Sequence, residues 1–304
     1  MVTVIGEALV DIVHDQPYVG GSPLNVAIGL SRLGQPTRFL TQHGDDVYGH
    51  LIAAHLEANN VTTLTTPDTA PTSVARVTLD AAGVPSYDFD IHWNLSNPDA
   101  LKESDASPSL VHTGSIATMI QPGADAVLEL ISNARTHALI SYDPNCRPTL
   151  IPDRDYAIHQ VEAFVRVSDI VKASDEDLRW LYPHRSIEQS LRAFIDLGAS
   201  LAIVTMGADG AYATTAHIDA TTPGVPTVVA DTVGAGDSFM AALIDGLLRL
   251  NTTPNASALV PVLSREQLER LLRYATAAAA ITVSRPGANP PVRDELAIHA
   301  DPAG

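Results

Sequence analysis

One segment of the sequence, residues 227–250, constrains the fold more than any other. It reads TVVADTVGAGDSFMAALIDGLLRL, which predicts a short β-branched strand over residues 227–229, a glycine turn and then a helix. The turn through Gly234, Ala235 and Gly236 therefore leads from a strand into a helix N-terminus, where backbone N–H groups have no partner within the helix. Because the positive end of the helix dipole lies at the same place, we expect an anion site there.

Asp237, in the first turn of that helix, has two interpretations. An acidic residue in a first turn commonly caps the helix or interacts with its dipole. Alternatively, a carboxylate beside an anion site can accept the proton of a hydroxyl while backbone amides hold a phosphoryl group, as phosphoryl transfer requires. This segment by itself gives the two interpretations about equal weight.

The length and composition are those of one large α/β domain, over residues 1–304, with a sizeable core. Of the 304 residues, 45% are hydrophobic and 17% are charged. The formal net charge of −17 argues against nucleic acid or an anionic membrane as a partner. The sequence has no apolar run of about 18 residues and no secretion signal at its start, so we expect a cytoplasmic protein. Cys146 is the only cysteine, which excludes an intrachain disulfide and a thiolate metal cluster.

Two common nucleotide-binding motifs are missing. Neither Lys102 nor Lys172 follows a glycine, so the loop G-x-x-x-x-G-K-[ST] is absent. The dinucleotide motif G-x-G-x-x-G is incomplete, because Phe239 stands where the third glycine belongs. We therefore expect a nucleotide's phosphates to be bound by backbone amides and arginine.

From residue 110 onward, predicted strands and helices alternate, which indicates a mostly parallel sheet with helices on both faces. Strands are expected at 110–113, 138–142, 169–172, 201–205 and 226–230, and helices near 123–135, 155–166, 174–181, 187–197, 236–250 and 265–283. Before them we expect a strand over 1–5, a helix that begins with Ser22 as N-cap and Pro23 and stops at Gly34, a strand over 38–41 and a helix over 47–58. Ligands bind at the carboxyl ends of such strands.

Residues 84–91 have a different pattern, in which Tyr87, Phe89 and Ile91 alternate with polar residues. Residues 80–83 before them suit a hairpin turn. A half-buried antiparallel hairpin in an α/β chain must cover something. We therefore expect a small β-sheet lid, built from about residues 12–20 and 72–98, over the mouth of the main domain.

Three polar segments follow predicted strands, and each has two interpretations. Residues 143–147 (DPNCR) form either an ordinary turn or a loop that directs Arg147 toward a phosphate. In residues 205–210 (TMGADG), the two glycines either let the backbone approach a ligand or simply make a tight turn. Residues 174–177 (SDED) form either a capped acidic helix start or a group that organises Mg²⁺ through water.

Together these segments resemble the ribokinase-like sugar kinase family, also called the phosphofructokinase-B family, over essentially the whole chain. The two strongest motifs are GGSPLN at residues 20–25 and DTVGAGDSF at residues 231–239, which occur in the family's order. The resemblance implies a Rossmann-like domain with a β lid, and phosphorylation of a sugar hydroxyl that depends on ATP and Mg²⁺. It also favours the general-base interpretation of Asp237.

Carried over by position, the resemblance assigns roles to further residues. Asp237 is the implied general base, and the amides from Gly234 to Asp237 are the implied anion hole. The implied sugar-binding positions are Asp11, Gly20, Gly21, Asn25 and Arg147, with Gly20 and Gly21 also acting as the hinge of the lid. The implied nucleotide-side positions are Ser174, Thr205, Gly207, Gly210, Gly236 and Thr276, the last standing where the family often has an asparagine near adenine. A monovalent-cation loop that could hold K⁺ is implied at Asp231, Thr232, Thr282, Arg285 and Gly287.

One motif departs from the family pattern. The Asn-x-x-Glu motif aligns with Ser174 and Asp177, so both ends differ and the carboxylate is shorter. Related fructokinase-like members also have serine at the first position. A role of Asp177 in organising Mg²⁺ through water is therefore a weaker expectation than the role of Asp237.

The substrate is expected to be D-fructose, phosphorylated to fructose 6-phosphate, because residues 6–11 and 112–115 resemble fructokinase-like members. Ribose, 2-keto-3-deoxygluconate and a nucleoside stay open as alternatives. From another class of protein, a sugar- or nucleotide-binding regulator without turnover also stays open. A homodimer through the lid is a further hypothesis, since an apolar sheet face and strand edges often acquire a partner.

Overall fold

The computed structural model describes residues 1–64, 68–79, 85–95, 107–250 and 263–297. Within these ranges, nine strands form the main sheet in the spatial order β13-β12-β11-β10-β9-β8-β1-β4-β5. The strands are β1 Val2–Ile5, β4 Thr37–Leu40, β5 Thr62–Thr63, β8 Leu110–Gly114, β9 Leu139–Asp143, β10 Ile170–Ser174, β11 Leu201–Thr205, β12 Ala211–Thr214 and β13 Asp219–Thr222. The strands from β11 through β10, β9, β8, β1 and β4 to β5 pair in parallel, and β12 and β13 continue antiparallel at one edge.

Helices cover both faces of this sheet, as the alternating pattern predicts. They are α1 Ser22–Arg32, α2 Val47–Ala58, α3 Gly123–Ala134, α4 Arg154–Arg166, α5 Asp175–Leu181, α6 Ile187–Leu197, α7 Ala235–Leu250, α8 Arg265–Val283 and α9 Arg293–Ala297. One core cluster joins the sheet to α1, α2, α7 and α8, and a second joins the opposite face to α3, α4, α5 and α6. The near-continuous burial of the central strands follows from this double cover.

A second, smaller sheet of the described chain has the order β3-β2-β6-β7. Its strands are β2 Leu9–Val13, β3 Gln16–Gly20, β6 Val74–Leu79 and β7 Pro85–Asp90. The chain passes from β1 into β2 within three residues and from β3 into α1 within one, so the small sheet adjoins the carboxyl end of β1. The small sheet expected from the sequence is thus confirmed, while the predicted hairpin turn at 80–83 and residues 96–98 lie outside the described residues.

The prediction of a strand over residues 226–230, which includes the strand proposed over 227–229, is wrong. Residues 223–229 belong to no helix or strand and pair with no described strand, and Val228 is 88% exposed. The edge of the sheet is formed instead by β13, which the sequence pattern did not reveal, and β-branched composition by itself does not supply a strand with a neighbour. The segment is instead anchored at its end, where the N–H groups of Ala230 and Asp231 donate to the carbonyl of Val283.

Across the described helices, none combines the length and the apolar character that crossing a bilayer would require.

Candidate active site

The N-termini of α1 and α7 meet at the carboxyl edge of the main sheet, and their polar side chains bind one another. The hydroxyl of Ser22 donates to Oδ1 of Asp237 at 2.7 Å, and Nδ2 of Asn25 donates to Oδ2 at 2.8 Å. Asp237 is only 7% exposed. Simple capping of its own helix does not account for these contacts, since both carboxylate oxygens are held by a helix more than 200 positions away in the sequence.

The start of α1 differs from the prediction, which made Ser22 the N-cap. The N-cap is Gly21, with φ of 115°, and Ser22 is already the first helical residue. A side chain at Gly21 would stand 2.6 Å from the carbonyl oxygen of Glu7, so the chain needs glycine here for both its backbone angle and its close packing. The hydroxyl of Ser22 is therefore turned to Asp237, a contact that the sequence motif by itself did not predict.

The glycine turn before α7 is as tight as the sequence indicates. Gly234 has φ of 76°, and a Cβ there would lie 2.7 Å from Cβ of Ala288. The helix begins at Ala235, so the first-turn N–H groups, including those of Gly236 and Asp237, have no carbonyl partner within an α-helix. These amides and the helix dipole make the turn suitable for an anion.

A buried ion pair lies beside this turn, and sequence reasoning missed it. Nζ of Lys172, on β10, is 2.8 Å from Oδ2 of Asp143 at the end of β9 and 3.4 Å from the carbonyl oxygen of Gly236. Burial raises the pKa of Asp143 to about 6, although Lys172 opposes the effect. Burial by itself would lower the pKa of Lys172, but the neighbouring carboxylates, chiefly that of Asp143, outweigh it and raise the pKa. The sequence does contain a signal for this ion pair, because Lys172 is a charged residue within a strand that the pattern predicts to be buried.

Asp177 holds the loop that follows β9. Its Oδ1 accepts from the N–H of Cys146 at 2.8 Å, and its Oδ2 accepts from the N–H and the hydroxyl of Ser174 at 2.9 and 2.7 Å. Ser174 caps α5 in return, so the prediction of a capped helix start is confirmed. The role of Asp177 in organising Mg²⁺ stays a prediction. The carboxylate that would perform this role already accepts three hydrogen bonds from the protein.

Three of the predicted sugar-side residues, Asp11, Gly20 and Arg147, lie at the small sheet and at the loop after β9. Asp11 lies on β2, and a Cβ on Gly20 would be 2.6 Å from its Oδ2, so Gly20 leaves room for the carboxylate. Burial raises the pKa of Asp11, while the charge of Arg147 acts in the opposite direction. Nη1 of Arg147 also donates to Oδ1 of Asn145 at 2.6 Å, which fixes the arginine beside its own loop.

Glu7 is a second buried group that sequence reasoning did not single out. Its carboxylate accepts from the N–H of Ala117 at 3.0 Å. Burial raises its pKa to about 7, and the charge of Arg147 is among the opposing effects. The positive charge of Arg147 thus acts on two carboxyl groups, those of Glu7 and Asp11.

The predicted nucleotide-side residues lie farther along the same edge. Thr205 ends β11, and Gly207 has φ of 53° with open space where a side chain would stand. A side chain at Gly210 would collide with the carbonyl oxygen of Thr222, so tight packing against β13 explains this glycine.

Within the described chain, the buried hydroxyl of Thr276 on α8 has no hydrogen-bond partner. A cavity of about 170 Å³ opens against the same helix and is lined by Val225, Pro226, Thr227, Ala277, Ala280, Ile281 and Ser284, and Thr276 is not among these residues.

The residues of the predicted cation loop also come together. Asp231 accepts from the N–H of Val233 at 3.0 Å and from that of Gly287 at 2.9 Å, and these hydrogen bonds lower its pKa. Thr282 is connected to α7 by a 2.7 Å hydrogen bond to the hydroxyl of Ser238, and its carbonyl accepts from the N–H of Arg285. Because the guanidinium of Arg285 pairs with Glu295, only backbone atoms of Arg285 remain for the loop. The carbonyl of Thr232 faces the N–H of Ala235 at 3.4 Å.

The Ser22 contact predicts a measurable effect on turnover. Ser22→Ala removes one of the two side-chain hydrogen bonds to the Asp237 carboxylate, and a bond to a charged group is worth about 1.5–3 kcal/mol. We expect kcat to fall about tenfold, with an unchanged fold by circular dichroism. Ser31→Ala is the matched control, since the hydroxyl of Ser31, also on α1, bonds to the carbonyl of Asn59 away from the site. Equal kcat values for the two variants would contradict the assignment.

The fold and the site define the class of this protein, and comparison with known sequences agrees. The profile described as "pfkB family carbohydrate kinase" matches residues 2–295, so the chain belongs to the pfkB family of carbohydrate kinases. A fructokinase of Rhizobium leguminosarum bv. trifolii is 31% identical over 259 residues, covering 81% of this chain and 79% of the relative. The probable fructokinase-2 of Arabidopsis thaliana is 32% identical over 310 residues, covering 95% of this chain and 92% of the relative.

Solved structures show the same architecture. The fructokinase of Vibrio cholerae O395, determined with fructose, ADP and calcium ion, has a TM-score of 0.82 and 25% identity, and the match covers 98% of both chains. The fructokinase of Xylella fastidiosa with bound ATP has a TM-score of 0.83 at 24% identity, covering 98% of this chain and 97% of that one. The ribokinase-like fold expected from the sequence is thus confirmed, and the chain is a carbohydrate kinase.

Proposed function

We propose that this kinase transfers the γ-phosphoryl group of ATP to a primary hydroxyl of D-fructose and forms fructose 6-phosphate. The observation that carries the proposal is the Asp237 carboxylate, which lies at the N-terminus of α7 with one oxygen held by Ser22 and the other by Asn25. The choice of fructose is supported by curated relatives in bacteria and plants that are named fructokinases.

Asp237 acts as the general base in this proposal. It accepts the proton of the sugar hydroxyl as that oxygen attacks the γ-phosphorus, while the amides from Gly234 to Asp237 hold the oxygens of the transferring group. Ser22 and Asn25 keep the carboxylate in one orientation, so no reorientation is needed when the sugar binds. Positioning and electrostatic stabilisation therefore supply most of the catalysis.

The small sheet is the proposed lid. It is joined to the main domain through Gly20 and Gly21, and it carries Asp11 toward the sugar side. Closure of this sheet over the sugar would exclude water and so favour the hydroxyl of fructose over water as the acceptor. The homodimer through the same sheet stays a prediction.

The residues of the site fit Mg²⁺ that is brought in with the nucleotide. Mg²⁺ keeps several water ligands and is commonly held by substrate phosphates together with one or two carboxylates. Oδ1 of Asp177 accepts a hydrogen bond from the N–H of Cys146, and a carboxylate oxygen has a second lone pair that can accept from a water of the hydrated ion. Bound Mg²⁺ would supply charge neutralisation at the phosphates, and Asp177 would orient its water shell.

The loop at Asp231 fits a monovalent cation such as K⁺. The amides of Val233 and Gly287 lower the pKa of Asp231, which keeps its carboxylate charged, and carbonyl groups of the same loop provide further hard oxygen atoms. The loop leads directly into the glycine turn. Bound K⁺ would add positive charge beside the anion hole.

The experiment that tests the proposal is ADP release with Mg·ATP and K⁺ across fructose, ribose, 2-keto-3-deoxygluconate, tagatose and adenosine. We expect the highest kcat/KM for fructose. A higher value for another sugar would keep the kinase chemistry and reject fructose. Sugar or ATP binding without ADP release from any acceptor would replace the enzyme with a regulatory binding protein.

A further inference from the structure

Lys172 is a buried charge to which the proposed mechanism gives no role. It lies on β10 among Ile170, Val171 and Ala173, all of which are buried and apolar, and its own side chain is only 4% exposed. Its ammonium group contacts Asp143 at 2.8 Å and the Gly236 carbonyl at 3.4 Å. Gly236 leaves space for it, since a Cβ there would be 3.0 Å from Nζ.

Stability does not explain this lysine. Replacing a buried ion pair with apolar side chains of similar size is often neutral or stabilising, because the desolvation of both charges is then avoided. A methionine or leucine in β10 would continue the apolar pattern of the strand. The charge at this position therefore calls for a functional reason.

The charges around Lys172 indicate that reason. Three carboxylates lie within electrostatic reach of its ammonium, those of Asp143, Asp237 and Asp177. One positive charge thus faces three negative charges at the place where a phosphoryl group has to approach the turn of α7. Without Lys172 the repulsion of that group would be greater still, because opposing charges in a water-poor site are weakly screened.

We propose that Lys172 is a positioning residue for phosphoryl transfer, whose ammonium is held by Asp143 beside the first turn of α7 and supplies the fixed positive charge of the phosphoryl-binding turn. The proposal rests on the kinase function proposed above. Lys172 acts through its contact with the glycine turn and through the electrostatic field that its charge produces at Asp237. It does not act by contact with the substrate. It adds a fixed cation beside the backbone amides and arginine that the sequence leads us to expect at the phosphates.

The test compares Lys172→Met, Lys172→Arg and the double variant Asp143→Asn/Lys172→Met with wild type in the fructose assay. Lys172→Met keeps the length of the side chain and removes the charge, but it leaves Asp143 buried without its cation. The double variant removes both charges, so its melting temperature should lie above that of Lys172→Met. Arg179→Met is the matched control, because Arg179 is an exposed cation on α5.

We expect kcat to fall about 100-fold in Lys172→Met, with KM for fructose changed less than about threefold. The double variant should remain about as slow although it is more stable, and Lys172→Arg should recover about tenfold of the loss. Arg179→Met should turn over at the wild-type rate.

Three results would overturn the proposal. The first is a double variant with wild-type kcat, which would show that Lys172 serves the fold alone. The second is equal impairment in Lys172→Arg and Lys172→Met, which would indicate packing and not charge. The third is a rise in KM for fructose with kcat unchanged.

A wild-type enzyme that is inactive on fructose but active on another sugar would instead refute the proposed substrate, and the same comparison would then be made on that sugar.

Discussion

Replacing Asp237 with asparagine should lower kcat by a factor of about 10² to 10⁴, while the fold and the affinity for the sugar should stay close to those of the wild type. The change removes the proton acceptor but keeps the size of the side chain. The introduced carboxamide oxygen can still accept from Nδ2 of Asn25. The hydroxyl of Ser22 can rotate and accept from the introduced amide group, since a hydroxyl is both donor and acceptor. The packing around α1 and α7 is therefore preserved.

Single-turnover kinetics measure the expected loss in the rate of phosphoryl transfer, and calorimetry measures the affinity for the sugar. Asp175→Asn is the matched control, because it makes the same chemical change in the first turn of α5, where the carboxylate pairs with the neighbouring Arg179. Its kcat should stay within about twofold of the wild type. Turnover by Asp237→Asn at the level of this control would remove Asp237 from its role as the base and restore the capping interpretation.

The sequence predicts the helices well because their signals are local. Helices α6 and α8 have the predicted bounds, each with a serine cap and an apolar face that recurs with the helical period. The glycine turn before α7 is also predictable, although no described strand leads into it, because glycine readily adopts the positive φ that a tight turn into a helix requires. By contrast, the strand predicted over 226–230 fails because a strand needs a neighbour, and its β-branched residues carry no information about whether one is present.

The parts of the site that sequence reasoning missed depend on contacts between distant segments. In the sequence, Lys172 stands out only as a lysine that does not follow a glycine. Its place in the site arises because β9 and β10 are parallel neighbours, so that the end of one brings Asp143 to the lysine of the other. The sequence predicts Ser22 as the cap of its own helix. Its bond to Asp237 exists because α1 packs directly on α7, where a Cβ on Gly29 would lie 2.7 Å from that of Ala241.

A second buried carboxylate, Asp245, lies on α7 two turns after Asp237. Its side chain is fully buried and accepts three hydrogen bonds from three different parts of the chain. The donors are Nε2 of Gln35, just after α1, at 2.7 Å, the hydroxyl of Tyr274 on α8 at 2.8 Å and Nη2 of Arg293 on α9 at 2.8 Å. Asp245 therefore connects the helix that carries Ser22 and Asn25 with the helix that carries Asp237.

We expect Asp245→Ala to lower the free energy of unfolding by about 3 kcal/mol, because it leaves the buried hydroxyl of Tyr274 and the charge of Arg293 without their acceptor. Asp245→Asn keeps one acceptor oxygen and should lose less, about 1–2 kcal/mol. Asp196→Ala, at an exposed position on α6, is the control and should change the free energy by at most about 0.5 kcal/mol. Urea unfolding measures all three variants.

The activity of Asp245→Ala distinguishes a general loss of stability from a loss of alignment. If the network sets α1 against α7, the folded fraction of this variant should also have a lower kcat, since Ser22 and Asn25 would hold the base less rigidly. The measurement is kcat well below the melting transition, where the variant is folded. A full loss of about 3 kcal/mol with unchanged kcat would show that the network stabilises the fold without aligning the site. A stability equal to that of Asp196→Ala would show that water replaces the acceptor and that the three hydrogen bonds contribute little.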